Sequence, residues 1–106
     1  MTLIYRQGDV LVQATAHALT AHAKPVTRDK GRIVLAYGEV TGHAHAIDDA
    51  LAELFEEQDG ALYLTTGPDG ATIRHQEHAP VALAPGTYRV VHQREYHPEE
   101  IRRVSD

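Results

Sequence analysis

The sequence predicts an all-β fold: a small barrel or sandwich of about eight short strands with a short C-terminal helix. Three observations lead there. Turn signals such as Asp59-Gly60, Gly67-Pro68-Asp69-Gly70 and Ala84-Pro85-Gly86 recur at the roughly 8–12-residue spacing of short-strand folds. The segments between them alternate apolar and polar residues or are rich in β-branched ones. The Ala-rich stretch at 16–31 lacks a clean helical period and is punctuated by Pro25 and Gly31, so it reads as a loop with room for one helical turn.

Taken in order, residues 3–7 form a strand broken at Gly8-Asp9, and 10–15 form the next, with Val10 and Val12 on one face. Residues 32–37 are a β-branched, apolar strand, and Gly38 allows a bend or bulge before a strand over 39–47. Asp48-Asp49 turns the chain. Strands at 51–56 and 61–66 flank the hairpin connection Glu57-Gln58-Asp59-Gly60. Strands at 71–77 and 81–83 follow, and 87–96 is the longest alternating segment. Pro98 suits the first position of a helix through Val104, with Glu99 and Glu100 in its first turn and Arg102 and Arg103 in its last.

The 106 residues make a single domain, with no repeat, low-complexity tract or linker. A net charge of -5 argues against broad phosphate-backbone binding. The segment following Met1 turns polar within a few residues, which is not the pattern of a signal peptide, and no apolar run has the length of a membrane span. A cytoplasmic location is expected. With no cysteine, disulfides and thiolate metal sites are excluded, so any metal must be held by N and O ligands.

The chemistry is concentrated in the histidines, of which there are eight. On a strand, the i, i+2 pair His43 and His45 shares a face with Glu39, Thr41 and Ile47, a set too polar for a plain core and suited to a lined cavity. A third ligand must come from another strand. His75 and His78 are the candidates, on opposite faces of a regular strand, and Pro80 ends the strand close to His78. Three histidines and an open position form the arrangement of catalytic zinc. Glu77 is then a general base, a further ligand or a partner of a ligating imidazole, as Glu39 or Glu95 could also be. His92 is read as a satisfied, half-buried residue, and His17 and His22 as solvated. Arg94 offers a five-donor fork for a carboxylate or phosphate, with Tyr96 on the same face. Gly8-Asp9 is read as a structural turn.

Several segments are shared with known families. Tyr5-Arg6-Gln7-Gly8-Asp9-Val10-Leu11, Gly38-Glu39-Val40-Thr41-Gly42-His43-Ala44-His45, Glu77-His78, Pro85-Gly86-Thr87-Tyr88 and Gln93-Arg94-Glu95-Tyr96 resemble a family of small uncharacterised bacterial and phage proteins over most of the chain. Residues Gly38 to His45 are similar to the first cupin motif, one residue short between Gly and His and with Asp48-Asp49 where the motif has Glu. Pro85-Gly86 is similar to the Pro-x-Gly of the second motif without the intervening residue, and the downstream His92 is displaced. The His-x-His strand with a third His from a neighbour resembles the zinc site of alpha-class carbonic anhydrases. That resemblance implies site logic only, the chain being far shorter than that fold.

The expected function is therefore that of a zinc-dependent lyase or hydrolase, or one using another divalent metal, with ligands His43, His45 and His78. A metal-bound hydroxide would attack a small electrophile, by hydration of carbon dioxide or by hydrolysis. Glu77 would manage protons, and Arg94 and Tyr96 would orient the small-molecule substrate. A non-enzymatic β-barrel module is the alternative, binding a small molecule or a protein partner in a pocket lined by the histidines, or RNA through the surface of Arg94, Arg102 and Arg103. Neither nucleic acid nor membrane is an expected partner of the enzyme reading, which is compatible with a homo-oligomer.

Overall fold

The structure is a computed structural model and describes residues 3–38 and 42–93. Ten short strands follow one another: β1 (Ile4–Gln7), β2 (Val10–Ala14), β3 (Lys24–Pro25), β4 (Ile33–Tyr37), β5 (Ala44–Ile47), β6 (Glu53–Glu56), β7 (Leu62–Thr65), β8 (Ala71–Ile73), β9 (Val81–Leu83) and β10 (Thr87–His92). There is no α-helix among the described residues. The helix expected from Pro98 to Val104 lies outside them, as do Glu39, Thr41, Arg94, Glu95 and Tyr96.

Six strands form one antiparallel sheet in the order β1-β2-β10-β7-β6-β3. The hairpins β4-β5 and β8-β9 are joined by a bridge between Ala46 and Arg74, which makes a second layer. The all-β class is as expected, but the sheets do not close into a barrel: β1 and β3 remain as edges of the larger sheet. Strand β3 falls in the stretch expected to be a loop. It is only two residues long, and its Pro25 lacks a donor for a further strand, which suits an edge.

One core fills the space between the layers. Val10, Val12, Leu64, Tyr88 and Val90 face it from the larger sheet, and Ile33, Leu35, Ile47, Ile73 and Leu83 from the other layer. Burial follows the period-2 pattern: Val10 and Val12 are fully buried while Gln13 is exposed, and Tyr88 and Val90 point in while Arg89 points out. Each fully buried aliphatic side chain contributes roughly 1.5–3 kcal/mol of transfer free energy. The turn at Gly67-Pro68-Asp69-Gly70 forms as expected, with the Gly70 N–H donating to the Gly67 carbonyl at 3.0 Å. Its glycine is obligatory, because a Cβ on Gly70 would lie 2.1 Å from the Leu83 carbonyl oxygen and its φ is +79°.

Two local departures shape the site. The β4-β5 ladder carries its bulge at Leu35, between the pairs Val34↔Ala46 and Ala36↔His45, not at Gly38. The bulge sets a small residue, Ala36, opposite the imidazole of His45. The unpaired Leu35 offers its carbonyl to His92 Nε2 at 2.8 Å, so His92 is satisfied, as its half-buried position implied. Strand β8 ends at Ile73 instead of running to Glu77, which frees the segment 75–78 to turn.

Candidate metal centre

Gln7 organises this end of the molecule. It is the last residue of β1 and only 3% exposed. Its side-chain amide donates to the carbonyls of Ile73, at 3.0 Å, and Ala79, at 2.9 Å. These two carbonyls bracket the histidine-bearing segment, so one side chain fixes both its ends. Both partners are acceptors, which identifies the Gln7 atom facing them as Nε2 and leaves Oε1 pointing elsewhere.

Oε1 lies 2.8 Å from Nδ1 of His45. An amide oxygen only accepts, so His45 Nδ1 carries the hydrogen and the lone pair of the neutral ring is on Nε2. His45 is 4% exposed. Burial, followed by the neighbouring His75, lowers its pKa, and Asp9 opposes the shift. The free Nε2 faces Oδ1 of Asp9 at 3.7 Å. The ring nitrogen lone pair of neutral His45 and a carboxylate oxygen thus face each other.

Three imidazoles cluster here. The ring centroids of His45 and His75 are 4.3 Å apart, those of His75 and His78 4.7 Å, and those of His45 and His78 5.7 Å. His43 joins from the side, 5.8 Å from His75. Both His75 and His78 reach the cluster because the strand that would have put them on opposite faces stops at Ile73. His75 and His78 differ in one respect. The Glu77 N–H donates to His75 Nδ1 at 3.0 Å, so the lone pair of neutral His75 is engaged and its Nε2 bears hydrogen. Burial, then the neighbouring His78, lowers the His75 pKa.

His43 does not share a strand face with His45, because β5 begins at Ala44 and the i, i+2 rule stops there. It sits in a loop tied down by Gln76, whose Oε1 accepts from the Ala44 N–H at 3.0 Å and whose Nε2 donates to the Gly42 carbonyl at 3.2 Å. The Gly38 N–H also donates to the His43 carbonyl, at 2.8 Å. Glu77 places Oε2 3.3 Å from His43 Nδ1, the position of a carboxylate that orients an imidazole. Among the described residues no group of three or more His, Asp or Glu side chains is pre-arranged around a metal position.

Gly8 separates β1 from Asp9 with φ +60°, and a Cβ there would meet His78 Nε2 at 2.9 Å and His45 Cε1 at 3.1 Å. The turn is thus structural, as expected, and also holds the space between two candidate ligands. Sequence reasoning missed the roles of Gln7, Asp9 and Gln76. A signal for Gln7 was available: it is a polar residue in the inward register of an otherwise apolar hairpin.

A second histidine departs from expectation. His17 is not simply solvated: its ring stacks on Tyr63 at 4.3 Å and 15°, and Nε2 lies 2.8 Å from Glu57 Oε2. Glu57 also accepts from the Thr20 hydroxyl at 2.6 Å and the Thr20 N–H at 2.9 Å. These bonds, those from the Thr20 hydroxyl and His17 foremost, hold its pKa down at about 2. His22 is exposed, as expected.

Fold and site define a small layered all-β protein with a histidine cluster supported by buried glutamine. The chain belongs to the family described as Domain of unknown function (DUF8820), which matches residues 6–93. No curated protein matches it, and no solved structure does. No helix among the described residues is long and apolar enough to cross a membrane.

Proposed function

We propose that the histidine cluster binds a divalent metal, zinc first among the candidates, and that the protein is a small hydrolase or hydratase acting on a small electrophile. The observation that carries this reading is the confrontation of His45 Nε2 with Asp9 Oδ1 at 3.7 Å. The His45 lone pair and the Asp9 carboxylate are N and O donors that one cation would bridge, and such donors suit zinc, whose bonds to both are about 2.0–2.2 Å. His78 is the third donor, because no hydrogen bond engages either of its ring nitrogens among the described residues. His43, with Nδ1 facing the Glu77 carboxylate, is the further candidate donor. His75 serves as a wall, its ring packed at a 34° tilt against His45. A zinc held by three of these four donors would keep one position for water and would lower the pKa of that water to about 7.

The protein groups have distinct tasks. Gln7 fixes the tautomer and orientation of His45. Glu77, whose side chain is 61% exposed, orients His43 and can exchange protons with solvent. Arg94 and Tyr96 are assigned the orientation of substrate, on their residue chemistry. Elemental analysis of protein purified without a histidine tag tests the reading. About one equivalent of zinc per chain is expected, with lowered thermal stability in chelator. Absence of metal, with folding unchanged in chelator, overturns it.

A second reading is favoured by one observation. The planes of His45 and His78 are only 21° apart, and the His75 lone pair is already engaged, so the rings pack without a metal. The cluster is then the wall of a metal-free pocket in a binding module. A stable apo-protein that binds a small molecule without turnover distinguishes it.

A further inference from the structure

The outer face of β5 carries a groove on the side opposite His45. Its floor is Ala44 and Ala46, two small side chains in the middle of a sheet face. The pairing Val34↔Ala46 and the bridge Ala46↔Arg74 set Val34, Ala46 and Arg74 side by side on that face. Arg74 is held there by its backbone alone: its N–H donates to the Ala46 carbonyl at 2.8 Å and its carbonyl accepts from the Ala46 N–H at 3.0 Å. Arg32 and Asp48 complete the walls. Neither guanidinium is ion-paired among the described residues. The end of the groove is formed by His75 and Gln76, the residues that also border the histidine cluster.

Two unpaired arginine forks around an alanine floor form a receptor for a small oxyanion, since each fork can donate two parallel N–H bonds to adjacent oxygens. The charge of the groove selects among oxyanions. Two arginines and one aspartate leave a single net positive charge, which matches a monoanion and disfavours a dianion facing Asp48. The shallow floor favours a ligand of few atoms.

We propose that this groove binds a small carboxylate or bicarbonate through Arg32 and Arg74, beside His75, as the anion-binding half of the histidine site. The assignment of that anion as substrate or product rests on the metal reading above, while the groove's affinity for it stands on the arginines alone. Hydration of carbon dioxide and hydrolysis of an ester or amide both yield such an anion. Its retention beside His75 adds Arg32 and Arg74 to the residues that orient it.

The test is an amide-resolved NMR titration of the full chain, zinc-free and zinc-loaded, with acetate, bicarbonate and inorganic phosphate at about pH 8, where phosphate is a dianion. Saturable shifts at Ala44, Ala46, Arg74 and His75 are expected with acetate and bicarbonate, at lower concentration than with phosphate. Arg74→Gln should weaken monoanion binding by at least about fivefold while leaving zinc affinity and thermal stability unchanged, because the folded backbone bonds of Arg74 are retained. Arg32→Gln is the second variant and should act in the same direction. Linear, unsaturable shifts, tighter phosphate binding, or equal affinity in both variants overturns the proposal. Zinc binding without anion binding removes the groove and leaves the metal reading intact. Anion binding without zinc binding supports the groove and removes the metal.

Discussion

The Oε1 of Gln7 lies 2.8 Å from Nδ1 of His45, and the amide that presents it donates at its other end to the carbonyls of Ile73 and Ala79. One buried side chain therefore sets the tautomer of one histidine and the path of the segment bearing two more. Gln7→Leu removes a partner from three polar groups at once. It should destabilise the fold by about 2–3 kcal/mol in urea unfolding, since each buried group left unsatisfied costs on the order of 1 kcal/mol or more. The ring 15N shifts of His45 should move toward a mixture of tautomers. A variant as stable as the parent would show that water replaces the amide without cost.

Gly8 has φ +60° and borders both His78 and His45. Gly8→Ala puts a Cβ 2.9 Å from His78 Nε2 in a backbone conformation that L-residues disfavour. A loss of about 1–2 kcal/mol is expected from the backbone alone. Displacement of the His78 ring adds a loss of zinc affinity of about tenfold or more, read by competition with a chromophoric chelator. Unchanged affinity would remove His78 from the ligand set.

Much of the fold was legible because it rests on period-2 burial and turn chemistry. The alternation in Thr87–His92 marks the strand that lies between β2 and β7, and Asp59-Gly60 and Gly67-Pro68-Asp69-Gly70 mark turns that form. The histidines were legible as a group but not in their arrangement. Strand periodicity does not carry to His43 or to residues 75–78, because both lie beyond strand ends that tertiary hydrogen bonds set. Gln7, acting across 66 residues on Ile73, and Gln76, acting across 32 on Ala44, leave no local pattern. Layer closure was equally invisible, because the Ala46↔Arg74 bridge pairs residues whose types do not announce it.

Glu57 gives the fold an acid-sensitive clamp. Its folded-state pKa is about 2, below the ordinary 4.5, so folding favours the carboxylate. The stabilisation is fully present above pH 4.5 and is lost as pH falls from there toward about 2. Glu57→Gln should flatten this part of the stability–pH curve, and the 16–23 loop should gain amide exchange at neutral pH. An unchanged slope between the two proteins would assign the acid sensitivity to other carboxylates.

His75 and His78 should separate in their effects on metal. His78→Ala should weaken zinc binding by about 100-fold, the loss of one ligand, whereas His75→Ala should weaken it by less than about tenfold. His22→Ala, on an exposed loop, should change nothing. Equal losses at His75 and His78 would mean that the Glu77 N–H releases His75 Nδ1 on binding.

The most direct measurement is a calorimetric titration of tag-free protein with zinc at neutral pH, with His78→Ala alongside. The account predicts one zinc per chain in the parent, proton release on binding, and a loss of affinity of about 100-fold in the variant. A flat titration of well-folded parent protein, or identical isotherms for the two, would contradict it.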